Sequence, residues 1–211
     1  MGRESLTQIQ QSLIIGTLIG DGNLENRKLN ASLRIDHTES QKEYLFWKYN
    51  ILRNVATKEP VIIEEVHKQT DKVYVRWHFR TKALPELNFY WNLFYPTGKK
   101  IVPVSIAKYL NTPLSLAVWI MDDGYLRNDC NAFRFNTDGF PYKEQFILQD
   151  CLKGNFGIDS KLHKKGSYWN IYIPMNEMMK LRAIAASYLV PSMSYKLSPR
   201  NDFVPKLVGA R

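Results

Sequence analysis

The sequence predicts an α+β fold in which two pseudo-symmetric halves share the element order αββαββα. The first indication is a motif that occurs twice, because an apolar run ends in Asp-Gly at residues 14–22 and again at residues 116–124. The last acids of the two runs, Asp21 and Asp123, are 102 positions apart. A long repeat of this kind indicates that one structural unit is used twice.

Two further pairs of segments keep nearly the same offset. Residues 34–36 (Arg-Ile-Asp) match residues 134–136 (Arg-Phe-Asn), and the Lys-x-x-Pro segment at Lys100 matches the one at Lys196. In each half, apolar residues at helical spacing alternate with stretches that have the period of two typical of half-buried strands. The sequence therefore predicts an antiparallel sheet backed by helices in each of two domains, residues 1–102 and 103–211.

The elements of the first half follow from these periodicities and from residues that commonly start helices. Ser40 is the expected N-cap of the second helix, and Pro85 lies in the first turn of the third. We expect a helix over 5–20, strands over 22–27 and 30–38, a helix over 39–56, strands over 60–66 and 72–80, and a helix over 84–95.

The second half repeats this order. Pro113 opens one helix and Pro191 follows another, and proline is tolerated at both kinds of position. We expect a helix over 113–122, strands over 124–128 and 131–137, a helix over 141–154, strands over 159–164 and 168–173, and a helix over 175–189.

The composition gives a first functional indication. The 211 residues carry a formal net charge of +9, and a basic domain of this size often binds a polyanion. No apolar run approaches the roughly 18 residues that a membrane helix needs. Cys130 and Cys151 are the only cysteines, too few for a disulfide framework, and no cysteine or histidine spacing indicates zinc. We therefore expect an intracellular protein whose partner is a nucleic acid.

The two apolar runs have a physical peculiarity. Gly16 and Gly20 lie four positions apart on one helix face, where each glycine costs about 1 kcal/mol relative to alanine. Close approach of a second helix would compensate for this cost, and Val118 is a slim residue near the corresponding face of the second run. We therefore expect the two helices to pack against each other between the halves.

Asp21 and Asp123 would then lie at the C-terminal ends of neighbouring helices. A carboxylate is unfavourable there because the helix end carries about half a negative charge, and the two acids also repel each other. A divalent cation such as Mg²⁺ would relieve both penalties, and the carbonyls of Gly20 and Asp122 could add ligands. The alternative is that each Asp-Gly pair only forms a turn.

The runs at residues 14–22 and 116–124, with the two Lys-x-x-Pro segments, resemble the paired motifs of single-chain LAGLIDADG homing endonucleases. The resemblance covers essentially the whole chain. It implies a pseudo-symmetric monomer in which the two motif helices join two β-sheet saddles. The implied activity is a double-strand break in a long, asymmetric DNA target by Mg²⁺-dependent phosphodiester hydrolysis, with Mn²⁺ or Ca²⁺ able to replace Mg²⁺ in binding. The protein would act in the cytoplasm or nucleoid, or in an organelle.

The resemblance also implies roles for particular residues. Asp21 and Asp123 correspond to the metal-binding catalytic pair, and Lys100 and Lys196 to the basic residues beside them. Asp122 stands where the first run has a glycine, and we expect a solvated acid there that could also touch the metal site.

The open faces of the predicted sheets carry the side chains that read base edges in the major groove of DNA. Arginine can pair with guanine, asparagine with adenine, and aspartate with cytosine. For any single residue, the alternative is an ordinary solvated strand face. The predicted DNA-binding residues are Arg34, Asp36, Tyr74, Arg76, His78, Arg80, Arg134, Asn136, Lys161, His163, Tyr168, Asn170 and Tyr172.

A second function remains open, that of an intron splicing maturase that binds RNA and has the same fold. The presence of both motif acids and both lysines argues against it, because RNA binding alone does not need them. A DNA-binding regulator derived from an inactive endonuclease would need an additional helix-turn-helix domain.

Overall fold

The computed structural model describes residues 5–26, 29–66, 71 and 73–198. Residues 27 and 72, which the sequence analysis assigns to strand ends, lie outside the described residues. The N-terminal half forms α1 (Gln8–Ile19), β1 (Asn23–Asn26), β2 (Ala31–Thr38), α2 (Lys42–Leu52), β3 (Val61–Val66), β4 (Val73–Arg80) and α3 (Pro85–Phe94).

The C-terminal half has the same order of elements. It forms α4 (Pro113–Asp123), β5 (Gly124–Leu126), β6 (Phe133–Phe135), α5 (Tyr142–Phe156), β7 (Lys161–Lys165), β8 (Tyr168–Ile173) and α6 (Met178–Ala185). The predicted αββαββα order and the α+β fold class are therefore confirmed.

The strands form two separate antiparallel sheets of four strands each. Their orders are β1-β2-β4-β3 and β5-β6-β8-β7, so the second sheet repeats the topology of the first. In each sheet the two central strands come from different hairpins. This repetition confirms the pseudo-symmetry that the motif spacing predicts.

The two central helices, α1 and α4, begin with the same N-terminal capping motif. Thr7 and Gln10 form a reciprocal capping box at α1, and Thr112 and Ser115 form one at α4, where Pro113 is the first helical residue. The predicted cap of α2 is wrong, because the chain first makes a 3₁₀ turn over Glu39–Gln41 that contains Ser40, and the helix starts at Lys42.

The last predicted helix is also shorter than expected. α6 is flanked by 3₁₀ turns at Met175–Glu177 and Ala186–Tyr188. Val190 is extended, as a residue before proline tends to be, and a further 3₁₀ segment over Pro191–Lys196 follows. This segment, which the sequence did not predict, brings Lys196 back to the centre of the molecule.

One continuous hydrophobic core spans both halves. α2 and α3 pack on the first sheet and α5 on the second, while α1 and α4 contact each other between them. Every residue of α1 from Ser12 to Ile19 is buried, which is typical of a helix enclosed on all sides. Among the described residues, no helix has the length and apolar character that crossing a membrane requires.

Candidate active site

α1 and α4 approach each other closely at two glycines. A Cβ atom placed on Gly16 would lie less than 3.0 Å from the Ser115 carbonyl oxygen and from the Val118 side chain. A Cβ atom on Gly20 would lie less than 3.0 Å from the side chain of Asp122. The predicted packing of the two motif helices is therefore confirmed, and no residue larger than glycine fits at either contact without a shift.

This packing brings Asp21 and Asp123 to the same end of the helix pair. The backbone N–H of Asp21 donates to Oδ2 of Asp122, 3.3 Å away. Burial and then the charge of Asp21 raise the pKa of Asp123 well above its ordinary value. Although part of Asp21 is exposed, removal of water from its carboxyl raises its pKa too, with Asp122 as the next cause. The surroundings of each acid therefore destabilise its ionised form.

One lysine lies at each helix end. Lys100 Nζ donates to the carbonyl oxygens of Gly20 and Gly22, at 2.7 and 2.9 Å. Lys196 Nζ donates to the carbonyl oxygens of Met121 and Asp122, the latter at 3.1 Å. The ammonium groups therefore satisfy free carbonyls of the helix ends and oppose the negative end of each helix dipole.

The two lysines are held in largely dry surroundings. Burial lowers the pKa of Lys100 and of Lys196, while the nearby acids act in the opposite direction. The carbonyls of Gly20 and Asp122, which we expected to be free for a cation, each already accept one lysine hydrogen bond. A carbonyl oxygen has a second lone pair, so both remain able to accept a further partner.

Asp122 is not the solvated acid that we expected. Its side chain is fully enclosed, and Lys48 Nζ lies 2.7 and 3.0 Å from its two oxygens. The hydroxyl of Tyr44 donates to Oδ1 at 2.8 Å. The expectation failed because α2 of the N-terminal half covers the end of α4, which the repeat alone could not indicate.

His37 completes this enclosed cluster. Its Nδ1 lies 3.1 Å from Gln41 Oε1, and its Nε2 lies 3.8 Å from Asp122 Oδ1. Burial and then the charge of Lys48 lower the pKa of His37 to about 4. Asp21, His37 and Asp122 could geometrically hold a metal ion, but the carboxylate of Asp122 already neutralises the Lys48 ammonium. A second cation there would face that ammonium directly.

An open cavity adjoins the paired helix ends. It is lined by Gly20, Lys100, Asp123 and Asn136, among other residues. The backbone N–H of Asn136 donates to the carbonyl oxygen of Asp123, so this predicted DNA-binding residue lies beside the acids rather than far along the sheet.

The predicted open face of the N-terminal sheet is present. Arg34 pairs with Arg80 across β2 and β4, and Asp36 pairs with His78, so these side chains share one face. Tyr74 and Arg76 continue that face along β4. The arginines are already paired with acids: Arg34 with Asp36, Arg76 with Glu65, and Arg80 with Glu25.

The C-terminal sheet presents a corresponding face. Arg134 pairs with Tyr172 across β6 and β8, and Lys161 pairs with Tyr172 across β7 and β8. The rings of His163 and Tyr172 stack at 4.1 Å. Tyr168 is exposed at the far end of β8.

Asn170 departs from the prediction. Its position in β8 is on the open face by alternation, but its side chain is fully buried and donates to Asp138. The segment after β6 folds over it, so it is not available on the surface as an exposed group.

Lys48 and Tyr44 are not among the residues that the sequence predicts for the site. A signal was present, because both belong to the apolar face of α2, with Leu45, Tyr49 and Leu52 at helical spacing. A lysine in the middle of such a face predicts a buried partner of opposite charge. Nothing in the sequence identified that partner as an acid of the other half.

Comparison with known proteins agrees with this architecture. The model of the LAGLIDADG DNA endonuclease family matches residues 11–181. The chain is 34% identical to the DNA endonuclease I-ChuI of Chlamydomonas applanata, over 93% of this chain and 98% of that protein. It is 32% identical to the cytochrome b mRNA maturase bI2 of Saccharomyces cerevisiae, over 88% of this chain but only 46% of the maturase.

Solved structures show the same fold. The homing endonuclease I-WcaI bound to its DNA recognition sequence matches with a TM-score of 0.86 at 23% identity, over 92% of this chain and 88% of that one. I-DmoI in complex with DNA and Mn matches with a TM-score of 0.50 at 15% identity, over 92% of this chain and 98% of that one.

Proposed function

The chain belongs to the LAGLIDADG DNA endonuclease family, and from this premise we propose that it is a site-specific homing endonuclease that cuts both strands of a long, asymmetric DNA target. The observation that carries the proposal is the convergence of Asp21 and Asp123 at the ends of two packed helices, each with its own lysine. Cutting two strands requires two hydrolytic centres close together, and this arrangement supplies one acid and one lysine for each.

The donor set suits a divalent cation. Asp21 and Asp123 would hold it through their carboxylates, and the carbonyls of Gly20 and Asp122 are candidate additional ligands. Burial raises the pKa of both acids, the charge of Asp122 adds to this for Asp21 and the charge of Asp21 for Asp123, and a positive ion would relieve that cost. We propose Mg²⁺ as the ion, with Mn²⁺ or Ca²⁺ able to replace it in binding. The solved complexes of I-DmoI with DNA and Mn and with DNA and Ca support a divalent ion.

A divalent ion bound between the acids would supply Lewis acidity at the phosphate and lower the pKa of a bound water. The protein's own part is electrostatic and positional. Lys100 and Lys196 would place an ammonium near each scissile phosphate, where negative charge develops during the reaction. Asn136, which adjoins Asp123, would contact the DNA beside the cleavage position.

The open sheet faces would bind the target on either side of the centre. The aligned arginines, tyrosines and lysines supply phosphate contacts and contacts to base edges. The two faces carry different residues at equivalent places, such as Asp36 and Asn136, so the target would be asymmetric. Two centres within one chain also suit a protein that acts as a monomer inside the cell.

The test starts from a randomised duplex library. The purified chain would be incubated with it in Mg²⁺, and the cleaved ends would be sequenced to define the target. We expect one long, asymmetric site. With that site in a plasmid, Asp21→Asn and Asp123→Asn should each abolish cleavage and leave DNA binding largely intact.

Asp159→Asn is the matched control, because this exposed acid pairs with Lys153 and lies outside the cavity. It should cut like the parent chain. Cleavage by the Asp21→Asn/Asp123→Asn double variant in the presence of EDTA would contradict the proposed mechanism.

A splicing maturase is the second candidate, supported by the 32% identity to a cytochrome b mRNA maturase. The open sheet faces and the net charge of +9 would suit RNA as well as DNA. A gel-shift comparison of the intron RNA with the duplex target separates the two functions. Preferred binding of the RNA, without cleavage of DNA, would favour the maturase.

A further inference from the structure

Asp122 is an acid at the helix ends whose carboxylate the proposed cleavage does not use. It joins the two halves, because Lys48 and Tyr44 belong to α2 of the N-terminal half and Asp122 belongs to α4 of the C-terminal half. The side chains of Lys48 and Asp122 are both fully enclosed. The Lys48 ammonium also lies 4.5 Å from the centre of the Tyr44 ring.

Helix packing alone does not explain this pair. Removing two ions from water is costly, and apolar residues of similar volume are often equally stable in their place. In α1 the equivalent position is Gly20, which packs against α4 without any side chain. A buried charge at only one of the two equivalent positions indicates a role specific to one side of the molecule.

Oδ2 of Asp122, which accepts Lys48 Nζ at 3.0 Å, also contacts Asp21. Oδ2 of Asp122 accepts the backbone N–H of Asp21 at 3.3 Å, while Oδ1 accepts Lys48 Nζ at 2.7 Å and the Tyr44 hydroxyl at 2.8 Å. Asp21, the residue that donates this hydrogen bond, is a proposed metal ligand. The buried cluster therefore reaches one hydrolytic centre through a single backbone contact.

Asp21 and Asp123 differ in where they lie relative to the end of the helix that precedes or contains them. α4 includes Asp123 as its last residue, whereas α1 ends at Ile19 and Asp21 lies beyond the cap residue Gly20. Asp123 therefore belongs to its helix, whereas the backbone N–H of Asp21, beyond the end of α1, is held by the side chain of Asp122. Among the described residues, Gly20 offers Asp123 no side-chain counterpart of the anchor that Asp122 gives to Asp21.

We infer that Asp122, held by Lys48 and Tyr44, is a positioning residue for Asp21, so that only the N-terminal hydrolytic centre depends on the buried ion pair. The inference rests on the proposed endonuclease function. Its consequence is a strand bias: disturbing the pair slows one strand cut and leaves the other.

Two double variants test this while avoiding an unpaired buried charge. Lys48→Met/Asp122→Leu replaces the pair by apolar groups and removes the acceptor for the Asp21 N–H. Lys48→Met/Asp122→Asn also removes both charges but keeps an oxygen that can accept that N–H. Lys153→Met/Asp159→Leu, an exposed pair elsewhere, is the matched control.

The rate of each strand cut would be measured on an end-labelled duplex of the selected target. The strand served by the N-terminal centre is the one on which Asp21→Asn leaves the lower residual rate. We expect the leucine variant to slow that strand about tenfold, to leave the other strand nearly unchanged, and to accumulate nicked DNA. The asparagine variant should recover most of the rate, and the control should match the parent chain.

Two further measurements separate positioning from folding. A cooperative thermal unfolding transition should show that the leucine variant is folded. Calorimetric titration of each variant–DNA complex with Ca²⁺ should show that the leucine variant binds Ca²⁺ more weakly than the asparagine variant does. Equal slowing of both strands, slowing of the other strand alone, or unchanged Ca²⁺ affinity would overturn the inference. A parent chain that cuts neither strand would overturn the proposed function instead, and the Ca²⁺ comparison would still decide the positioning role.

Discussion

Lys100 and Lys196 occupy equivalent places at the two helix ends, although they reach them from different structures. Lys100 Nζ donates to the carbonyl oxygen of Gly20 at 2.7 Å, and Lys196 Nζ donates to that of Asp122 at 3.1 Å. Each of these carbonyls belongs to the residue just before a motif acid. Lys100 lies in the connection after α3, and Lys196 is the last residue of the 3₁₀ segment over Pro191–Lys196. The pseudo-symmetry therefore extends from the fold to the details of the site.

Removing one lysine should impair one strand cut. Lys100→Met and Lys196→Met each take an ammonium from a single centre, where loss of one donor to developing charge costs about 10²–10³ in rate. We expect each variant to nick the target, on opposite strands, when the products are separated on denaturing gels. Equal loss of both cuts in either variant would contradict this assignment.

Removing the charge of Asp123 should stabilise the metal-free fold while it abolishes cleavage. Burial and Asp21 raise the pKa of Asp123, so its ionised form is destabilising at neutral pH. Asp123→Asn removes that charge at almost constant volume. Thermal unfolding in EDTA at pH 7 should show a higher midpoint for the variant, and Asp159→Asn should show no gain. A lower midpoint for Asp123→Asn would contradict the electrostatic account.

The glycines of α1 should tolerate no side chain. Gly16→Ala would place a methyl group against the Ser115 carbonyl oxygen, and such overpacking costs about 1–3 kcal/mol. Gly154→Ala is the control, because this glycine lies inside α5 with nothing within 4 Å of a new Cβ. It should stabilise the protein by about 1 kcal/mol. Urea titration would measure the free energy of unfolding of both variants. Equal changes for Gly16→Ala and Gly154→Ala would contradict the close contact between α1 and α4.

The sequence was sufficient for the architecture because the chain repeats. The matching runs at residues 14–22 and 116–124 predicted the central helices, the close contact and the convergence of Asp21 and Asp123. The sequence could not show what covers those helix ends. The pairing of Lys48 with Asp122 joins residues 74 positions apart in different halves, and no local pattern records such a contact.

Alternation along strands predicted the faces of the sheets but not the exposure of each residue. Alternation along β8 places Asn170 on the open face, yet the residue is buried because the segment that carries Asp138 covers it. The pairing of Arg80 with Glu25 likewise depends on the strand order, which period-two patterns do not give.

Loss of one phosphate contact should change the salt dependence of DNA binding. Lys161 lies on the open face of the C-terminal sheet and is exposed. Lys161→Ala should weaken binding and reduce the slope of log affinity against log salt by about 0.9. Lys153→Ala, on the helix that covers the opposite face, should leave the slope unchanged. Titrations at several salt concentrations, in Ca²⁺ to prevent cleavage, measure both.

His37 should make the protein sensitive to acid. Its pKa is lowered to about 4 because it is buried beside the Lys48 ammonium, whereas the unfolded chain titrates near 6.5. Between those values the unfolded state binds the extra proton, so stability falls as pH falls through this window. A shift of this size corresponds to at most about 3 kcal/mol between pH 7 and pH 4.

His37→Asn removes that titration and retains a side-chain donor for Gln41. The free energy of unfolding would be measured by denaturant titration from pH 4 to pH 7 for the parent and the variant. Groups common to both, including Asp21 and Asp123, cancel in the difference between the two curves. We expect the free energy of unfolding of the parent, relative to that of the variant, to be highest at pH 7. This difference should shrink steadily toward pH 4. A difference that stays constant with pH would show that His37 does not change protonation on unfolding, and so is not the buried neutral group beside Lys48 that the structure describes.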